Sequence, residues 1–555
     1  MGRARLAGVT AAALAVLVGW VPAPASGAPS PSPSEVPQTP APQTPAPQTP
    51  ASQTQTPQTP APQTPPYQLG DLTFAGIPSP AIDRPSYPAP DTVPEGFAPP
   101  PSGAGLTGYL AQRLDWTPCG FNTVCANVLA PLDYANPGAQ AITLSLRKKA
   151  ATASPRIGTL FVNPGGPGGS GKSLVPSFET AGLERFDIVG WDPRGVGAST
   201  PVVCYDAAQT DALLANDPAP TTQTGLATLA KAYSEFAKSC WDRSGPLLEH
   251  ISTIETVRDL DLLRALVGDE KLNYFGYSYG TRIGAVYAEL FGQNAGRLVL
   301  DGAVDITYDE DAIQAVGFDL ALSHFAAWCV EEECSLGTDE AAVVASITGL
   351  FEQLGRAPVL VGNRRMTKSL AVTGVGMMLY GGADSWPRLK AMVELAIDGD
   401  PSALMWAADQ LNSRGSDGRY GSLFYSFPAI SCLDEADQGV LGANERWAVG
   451  QQAAPVFGKY FGPDYVCPLW PARPARQLAI TGRSAPPIVV IGGTGDNATP
   501  YPQAVTMARQ LASGVLVTYE SEGHGAYGGN SECVDDLVVA YLADGIVPAD
   551  GTVCS

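Results

Sequence analysis

The sequence is short of positive charge. Lys and Arg number 33 against 54 Asp and Glu, a formal net charge of -21 over 555 residues, and only 16% of residues are charged. Nucleic acids and anionic membrane surfaces are recognised through clustered Lys and Arg, so no nucleic-acid partner is expected. Histidine is scarcer still: His250, His324 and His524 are the three in the chain, far apart in sequence. No Cys-x-x-Cys occurs, which removes the usual zinc-site spacings; neither a metal nor another cofactor is expected. No cysteine precedes Cys119, which excludes a lipid-modified Cys behind a leader. Beyond the amino terminus, no stretch is apolar enough to span a bilayer.

Apolar residues make up 45%, enough for a large core. Arg3 and Arg5 precede an uncharged run, Leu6 to Val21, and Ala23-Pro24-Ala25 and Ser26-Gly27-Ala28 supply small-x-small cleavage patterns. A span needs ~20 apolar residues, and this run is shorter, so residues 1–28 read as a secretory signal peptide. Residues 29–104 read as a disordered stalk and lead-in. Gln-Thr-Pro-Ala-Pro recurs from Gln38, Gln43 and Gln58, a composition that favours polyproline II and buries no core. A secreted or cell-envelope location is expected, with envelope association through this segment. The lead from Ile77 to Pro101 holds Asp, Arg, Tyr and Phe and is expected to pack on the folded domain.

All ten cysteines lie beyond residue 118. An even count in an exported chain implies disulfides. Connectivity stays open on sequence grounds; pairing of chain neighbours is the expectation, as Cys119–Cys125, Cys204–Cys240, Cys329–Cys334, Cys432–Cys467 and Cys533–Cys554.

From about Gly105, short apolar segments alternate with helical ones. Expected strands are Ile142–Leu146, Thr159–Asn163, Asp187–Trp191, Leu272–Phe275, Arg297–Leu300, Ile488–Ile491 and Val515–Tyr519. Continuous Val, Ile and Leu runs suit strands covered on both faces. A helix is expected between Ser252, capping with Glu255, and Gly268. The pattern implies a mostly parallel sheet flanked by helices. Roughly 185 residues separate Leu300 from Ile488, where a strand–helix–strand step needs ~30, so a helical cap is inserted there. The expected parts are the first core section at 105–305, the cap at 306–430 and the second core section at 431–555. Five of seven methionines, with Trp386 and Trp406, fall in the cap and read as its core.

Gly276-Tyr277-Ser278-Tyr279-Gly280 follows one strand and opens a helix, the setting of a nucleophile elbow. The glycines let the turn tighten and lift the Ser278 hydroxyl above the sheet. In this fold the acid and the histidine follow the serine. His250 precedes Ser278 and reads as a surface residue. His324 lies in an aromatic helical stretch and reads as packed. His524, between Gly523 and Gly525 after the last expected strand, is the candidate base. Asp496, after Gly492-Gly493-Thr494-Gly495, is the candidate acid, and Asp301 its rival. Two backbone amides must hold the oxyanion: that of Tyr279, and one from Asn163-Pro164-Gly165-Gly166-Pro167-Gly168, Gly166 favoured over Gly165.

The same loop spells Gly166-x-x-x-x-Gly171-Lys172-Ser173, a phosphate-loop pattern. Pro167 removes a donor such a cradle would use, and Lys172 reads as a solvated side chain. The matched set is Asn163-Pro-Gly-Gly-Pro-Gly, Trp191-Asp-Pro-Arg-Gly195, Gly276-Tyr-Ser-Tyr-Gly-Thr281, Asp496 with Thr499-Pro500, and Gly523-His524-Gly525. Over residues 105–555 it resembles the prolyl and tripeptidyl aminopeptidases of the α/β-hydrolases. Pro164 stands where many prolyl aminopeptidases carry His, and the secreted tripeptidyl type fits better. The resemblance implies an α/β-hydrolase fold with a cap, and release of short peptides, often tripeptides, from free amino termini. Peptides with a free amino terminus are thus the expected partners. Asp434 and Glu435, ahead of Glu331 to Glu333, are candidates to bind the substrate ammonium. A secreted carboxylesterase or lipase with the same triad is the alternative, and a non-catalytic envelope-binding protein a more distant one.

Overall fold

The computed structural model describes residues 69, 85–88, 96–307, 313–436, 438–474 and 477–555; the expected signal peptide and most of the expected stalk lie outside them. The strands are β1 (Phe97–Ala98), β2 (Thr117–Pro118), β3 (Val124–Pro131), β4 (Ala141–Lys149), β5 (Gly158–Asn163), β6 (Phe186–Asp192), β7 (Leu272–Tyr277), β8 (Ala295–Asp301), β9 (Val359–Val361), β10 (Arg364–Met366), β11 (Ile488–Gly495), β12 (Gly514–Glu522) and β13 (Thr552–Cys554). The main sheet runs β13-β12-β11-β8-β7-β5-β6-β4-β3-β2, with β1 on β4. Its pairs from β13 to β6 are parallel, and β4, β3, β2 and β1 add antiparallel partners at one edge. The seven expected strands lie within β4, β5, β6, β7, β8, β11 and β12.

Successive side chains on a strand point to opposite faces, and both faces here are covered. Phe161, Val189, Trp191, Tyr274, Leu298, Leu300, Ile488 and Val490 pack in one apolar cluster. Leu160, Val162, Ile188, Phe275, Val299, Val489, Ile491 and Val517 pack in another. That is why these runs are apolar without alternation. The helix Thr253–Val267 lies on the first cluster. Ser252 Oγ accepts the Glu255 N–H, and Gly268 ends the helix in the left-handed region. Only half of the expected capping box forms, because the Glu255 carboxylate accepts from Arg258 Nη1 at 2.8 Å.

Between β8 and β11 the chain is mainly helical, from Ile313–Glu331 to Phe457–Phe461. A separate apolar cluster runs from Phe318 to Tyr460 and includes Met366, Met377, Met378 and Met405, so these methionines are core. Trp406 is half exposed. Tyr425, Ala429, Ile430 and Leu433, on the helix Ser422–Asp434, pack instead with the main core. The two cores therefore interleave along the chain, and no cut at residue 430 separates them.

Ten cysteines form five disulfides, each between chain neighbours: Cys119–Cys125, Cys204–Cys240, Cys329–Cys334, Cys432–Cys467 and Cys533–Cys554. Described parts of the lead-in meet the domain: Trp241 Nε1 donates to Pro88 O at 2.8 Å, and Arg258 Nε to Leu69 O at 3.3 Å. Among the described residues no helix is long and apolar enough to cross a membrane.

Candidate active site

The carboxyl ends of β5, β7, β8, β11 and β12 build the site. After β7 the chain turns at Ser278, with φ 55° and ψ -128°, and enters the helix Tyr279–Phe291. A β-carbon on Gly276 would lie 2.4 Å from Gly280 O, so the tight turn requires a glycine there. Serine at a helix amino terminus normally caps it. Here the Ser278 side chain makes no capping bond, and the Ser278 carbonyl accepts from Thr281 Oγ1 at 2.6 Å instead. Positive φ turns the hydroxyl away from the helix and leaves it partly accessible. Such backbone conformations cost of order 1–3 kcal/mol and concentrate at active sites.

The loop after β5 packs directly on this turn. A β-carbon on Gly165 would lie 2.5 Å from Tyr277 O and 2.9 Å from Tyr279 N, so only glycine allows the approach. Gly165 N donates to Asn163 Oδ1 at 2.8 Å, which commits that amide. Among the described residues the amides of Gly166 and Tyr279 have no acceptor. Asn163 is thus the residue that separates the Gly166 amide from that of Gly165. Asp192 anchors the far side of the loop, accepting from Ser170 Oγ at 2.5 Å and Ala198 N at 2.8 Å. Its partner in the Trp-Asp-Pro-Arg-Gly motif, Arg194, is fully buried and forks onto Asp259 at 2.8 and 2.7 Å.

The phosphate-loop resemblance is resolved by the same contacts. Lys172 is half-buried rather than fully solvated: its Nζ donates to Ser145 Oγ at 2.6 Å, and its charge faces Asp192. It braces the loop through Ser145.

His524 follows β12. Its Nδ1 lies 2.9 Å from Asp496 Oδ1 and 2.8 Å from Oδ2. Asp496 is buried and also accepts from Ala498 N at 2.9 Å, Thr499 N at 2.8 Å and Thr499 Oγ1 at 2.9 Å. These donors fix the carboxylate plane. Burial disfavours the imidazolium, but the charge and hydrogen bond of Asp496, with the charge of Asp301, hold His524 above its ordinary 6.5. Tyr380 closes the cap over the ring, 5.8 Å away edge-on, and its carbonyl accepts His524 N at 3.2 Å. Asp301, the rival acid, contacts no ring nitrogen; its carboxylate accepts Ala526 N and Tyr527 N. Ser278 Oγ makes no hydrogen bond among the described residues, and such bonds are often long until substrate binds.

The other histidines stand apart from this pair. His250 is half-buried, and its carbonyl accepts from Arg194. His324, expected as packed, is 38% exposed and lies 2.8 Å from Glu522. Among the described residues no group of three His, Cys, Asp or Glu side chains forms a metal site.

The two candidate ammonium ligands differ. The Asp434 carboxylate is buried and accepts from Thr253 N at 2.8 Å and Thr253 Oγ1 at 2.5 Å; Thr253 Oγ1 in turn meets the Tyr279 hydroxyl. Asp434 is thereby tied into the frame. Glu435 is 57% exposed and 3.6 Å from Arg282, one helical turn beyond Ser278. Asp464, also exposed, is a second carboxylate facing this space, its charge acting on Glu435. No sequence motif marked it; the only signal was its position three residues before Cys467, the disulfide partner of Cys432.

Two family models match the chain, one described as "alpha/beta hydrolase fold" over residues 158–325 and one as "TAP-like protein" over residues 454–554. Serine protease Hip1 of Mycobacterium tuberculosis is 35% identical over 480 residues, covering 80% of this chain and 91% of the relative. Carboxylesterase B of the same organism is 35% identical over 488 residues, covering 82% and 92%. Tripeptidyl aminopeptidase of Streptomyces lividans is 30% identical over 499 residues, covering 82% and 89%.

Proposed function

The chain belongs to the α/β-hydrolases with a TAP-like carboxyl-terminal part and is a serine hydrolase, and from that premise we propose that it is a secreted exopeptidase. It releases short peptides, tripeptides foremost, from free amino termini through an acyl-enzyme. Ser278 Oγ attacks the scissile carbonyl while His524 takes its proton. The tetrahedral oxyanion rests on the amides of Gly166 and Tyr279. Collapse breaks the C–N bond, and His524 returns the proton to the leaving amine. Water, deprotonated by His524, then attacks the ester and frees Ser278. Asp496 holds the imidazole tautomer and stabilises its cation.

The observation that carries this reading is the His524–Asp496 pair on the same sheet edge as an accessible Ser278 and two unpaired amides. Glu435, with Asp464 beside it, supports the exopeptidase reading as an anionic grip for the substrate ammonium. From attacked carbonyl to amino nitrogen, a tripeptide spans about 10 Å at ~3.3 Å per residue. A helical turn of ~5.4 Å plus the length of the Arg282 side chain is a comparable reach. Five disulfides support export to an oxidising compartment.

The name of the carboxylesterase relative favours a second reading, an esterase with the same residues. Hydrolysis of free and acetyl-blocked tripeptidyl amides, compared with short acyl esters, separates the two. Strict dependence on the free amine is expected. Indifference to it, with faster ester turnover, would replace the peptidase reading. Full activity of Ser278→Ala would remove both.

A further inference from the structure

Asp301 ends β8, which lies between β7 and β11 in the sheet. It stands in register with Tyr277 of β7, the residue before Ser278, and with Ile491 of β11, the strand that leads to Asp496. Its carbonyl accepts the Ser278 amide at 2.8 Å. Its carboxylate, 1% exposed, accepts Ala526 N at 3.1 Å on both oxygens and Tyr527 N at 2.8 Å. Those donors begin two residues after His524. The next residue, Gly302, fits beneath the imidazole: a β-carbon there would lie 3.1 Å from His524 Cε1 and 3.3 Å from Thr499 Oγ1.

We propose that Asp301 is a positioning residue that sets the approach of Ser278 and His524, its main chain holding the elbow and its carboxylate holding the histidine loop. The proposal rests on the serine-hydrolase mechanism above and adds a second acid to it. Burying a carboxylate is costly unless it is hydrogen-bonded or paired with a positive charge. Two backbone donors and the neighbouring imidazole make the Asp301 charge tolerable, although burial still pushes its carboxyl up to about 6. The ionisable groups facing it are His524, Asp496 across the same site, Tyr277 of β7 and Tyr519 of β12. When His524 gains the serine proton, Asp301 is the second negative charge near the imidazolium.

The test uses the purified full chain, with Asp301→Asn and Asp301→Glu, assayed on a short acyl ester and on a free-amine tripeptidyl amide across pH. Catalysis needs neutral His524, so the acidic limb of kcat/KM follows its pKa. Asn removes the charge, making the imidazolium less stable: the limb is expected to move to lower pH, with kcat down at least tenfold and KM within twofold. Glu keeps the charge but displaces it: the limb is expected to stay near the parent's while kcat falls. An unmoved limb in Asp301→Asn overturns the proposal, since a merely structural anchor would lower active protein without changing the pKa. Failure of both variants to fold, while Asp496→Asn folds, also overturns it by making Asp301 framework alone. Labelling of the parent at Ser278 by a fluorophosphonate tests the underlying mechanism separately, and a parent that does not label fails that mechanism whatever the variants do.

Discussion

His524 and Asp496 meet through both carboxylate oxygens, at 2.9 and 2.8 Å from Nδ1, while three further donors hold Asp496 from behind. The imidazole therefore has one orientation, with Nε2 directed away from the acid.

Asp496→Asn removes both the orienting acceptor and the charge. A drop in kcat on the order of 10⁴-fold is expected, by analogy with loss of the acid in a Ser-His-Asp site. His524 sits above 6.5 in the parent because of Asp496 and Asp301. As a base it works when neutral, so parent activity rises with pH through that elevated value. In the variant the residual activity should rise at lower pH. A pH profile of kcat/KM checks the sign, and a shift to higher pH would contradict it.

Gly165→Ala drives a β-carbon into the elbow, 2.5 Å from Tyr277 O. The loop must retreat and carry the Gly166 amide with it. Loss of one oxyanion donor costs about 10²–10³ in kcat, with KM less affected. Steady-state kinetics at matched folded fraction would read this directly. Asn163→Ala, which frees the Gly165 amide, is expected to move kcat the same way by less.

Glu435→Gln is expected to raise KM for free-amine tripeptidyl amides about tenfold, equivalent to ~1.4 kcal/mol. Acetyl-blocked and ester substrates should be untouched. Asp434→Asn instead should lower stability, because its carboxylate is buried on Thr253. Equal losses on blocked and free substrates in Glu435→Gln would remove it from amine binding.

Replacing Cys432 and Cys467 together by Ala opens a loop with sequence separation 35. Loop-closure entropy for that length predicts a loss of ~4 kcal/mol. The bond joins the segments carrying Glu435 and Asp464, so KM for free-amine peptides should rise as well. Denaturant titration and kinetics on the same sample measure both effects.

Arg194→Met strands Asp259 in the core without its guanidinium. Breaking a buried pair in this way costs about 3–5 kcal/mol, and chemical denaturation should show it. Adding Asp259→Leu should recover much of the loss, since two apolar side chains replace a desolvated pair. If the double variant were as unstable as the single one, the carbonyls of Pro131, Leu132 and His250 that Arg194 also bonds would be the larger contribution.

Much of this protein was written locally. Runs such as Leu160–Val162 and Ile488–Ile491 announce strands covered on both faces, because apolar residues without alternation have nowhere else to go. The Gly276–Gly280 turn announces an exposed hydroxyl, because few other sequences allow so sharp a bend. Cys119–Cys125 and Cys329–Cys334 pair across separations of only 6 and 5 residues. The sequence favoured Asp496 over Asp301, and tertiary structure shows why only one faces the imidazole: Asp301 ends β8, whereas the loop after β11 turns the Asp496 carboxylate to Nδ1. Tertiary structure alone committed Gly165 to Asn163, Lys172 to Ser145 and Asp434 to Thr253, leaving the Gly166 amide unpaired and Glu435 exposed beside Arg282. Those outcomes depend on hydrogen-bond partners 2 to 181 residues away. A sequence pattern records a residue's chemistry, whereas its availability depends on which donors and acceptors the fold brings within 3 Å.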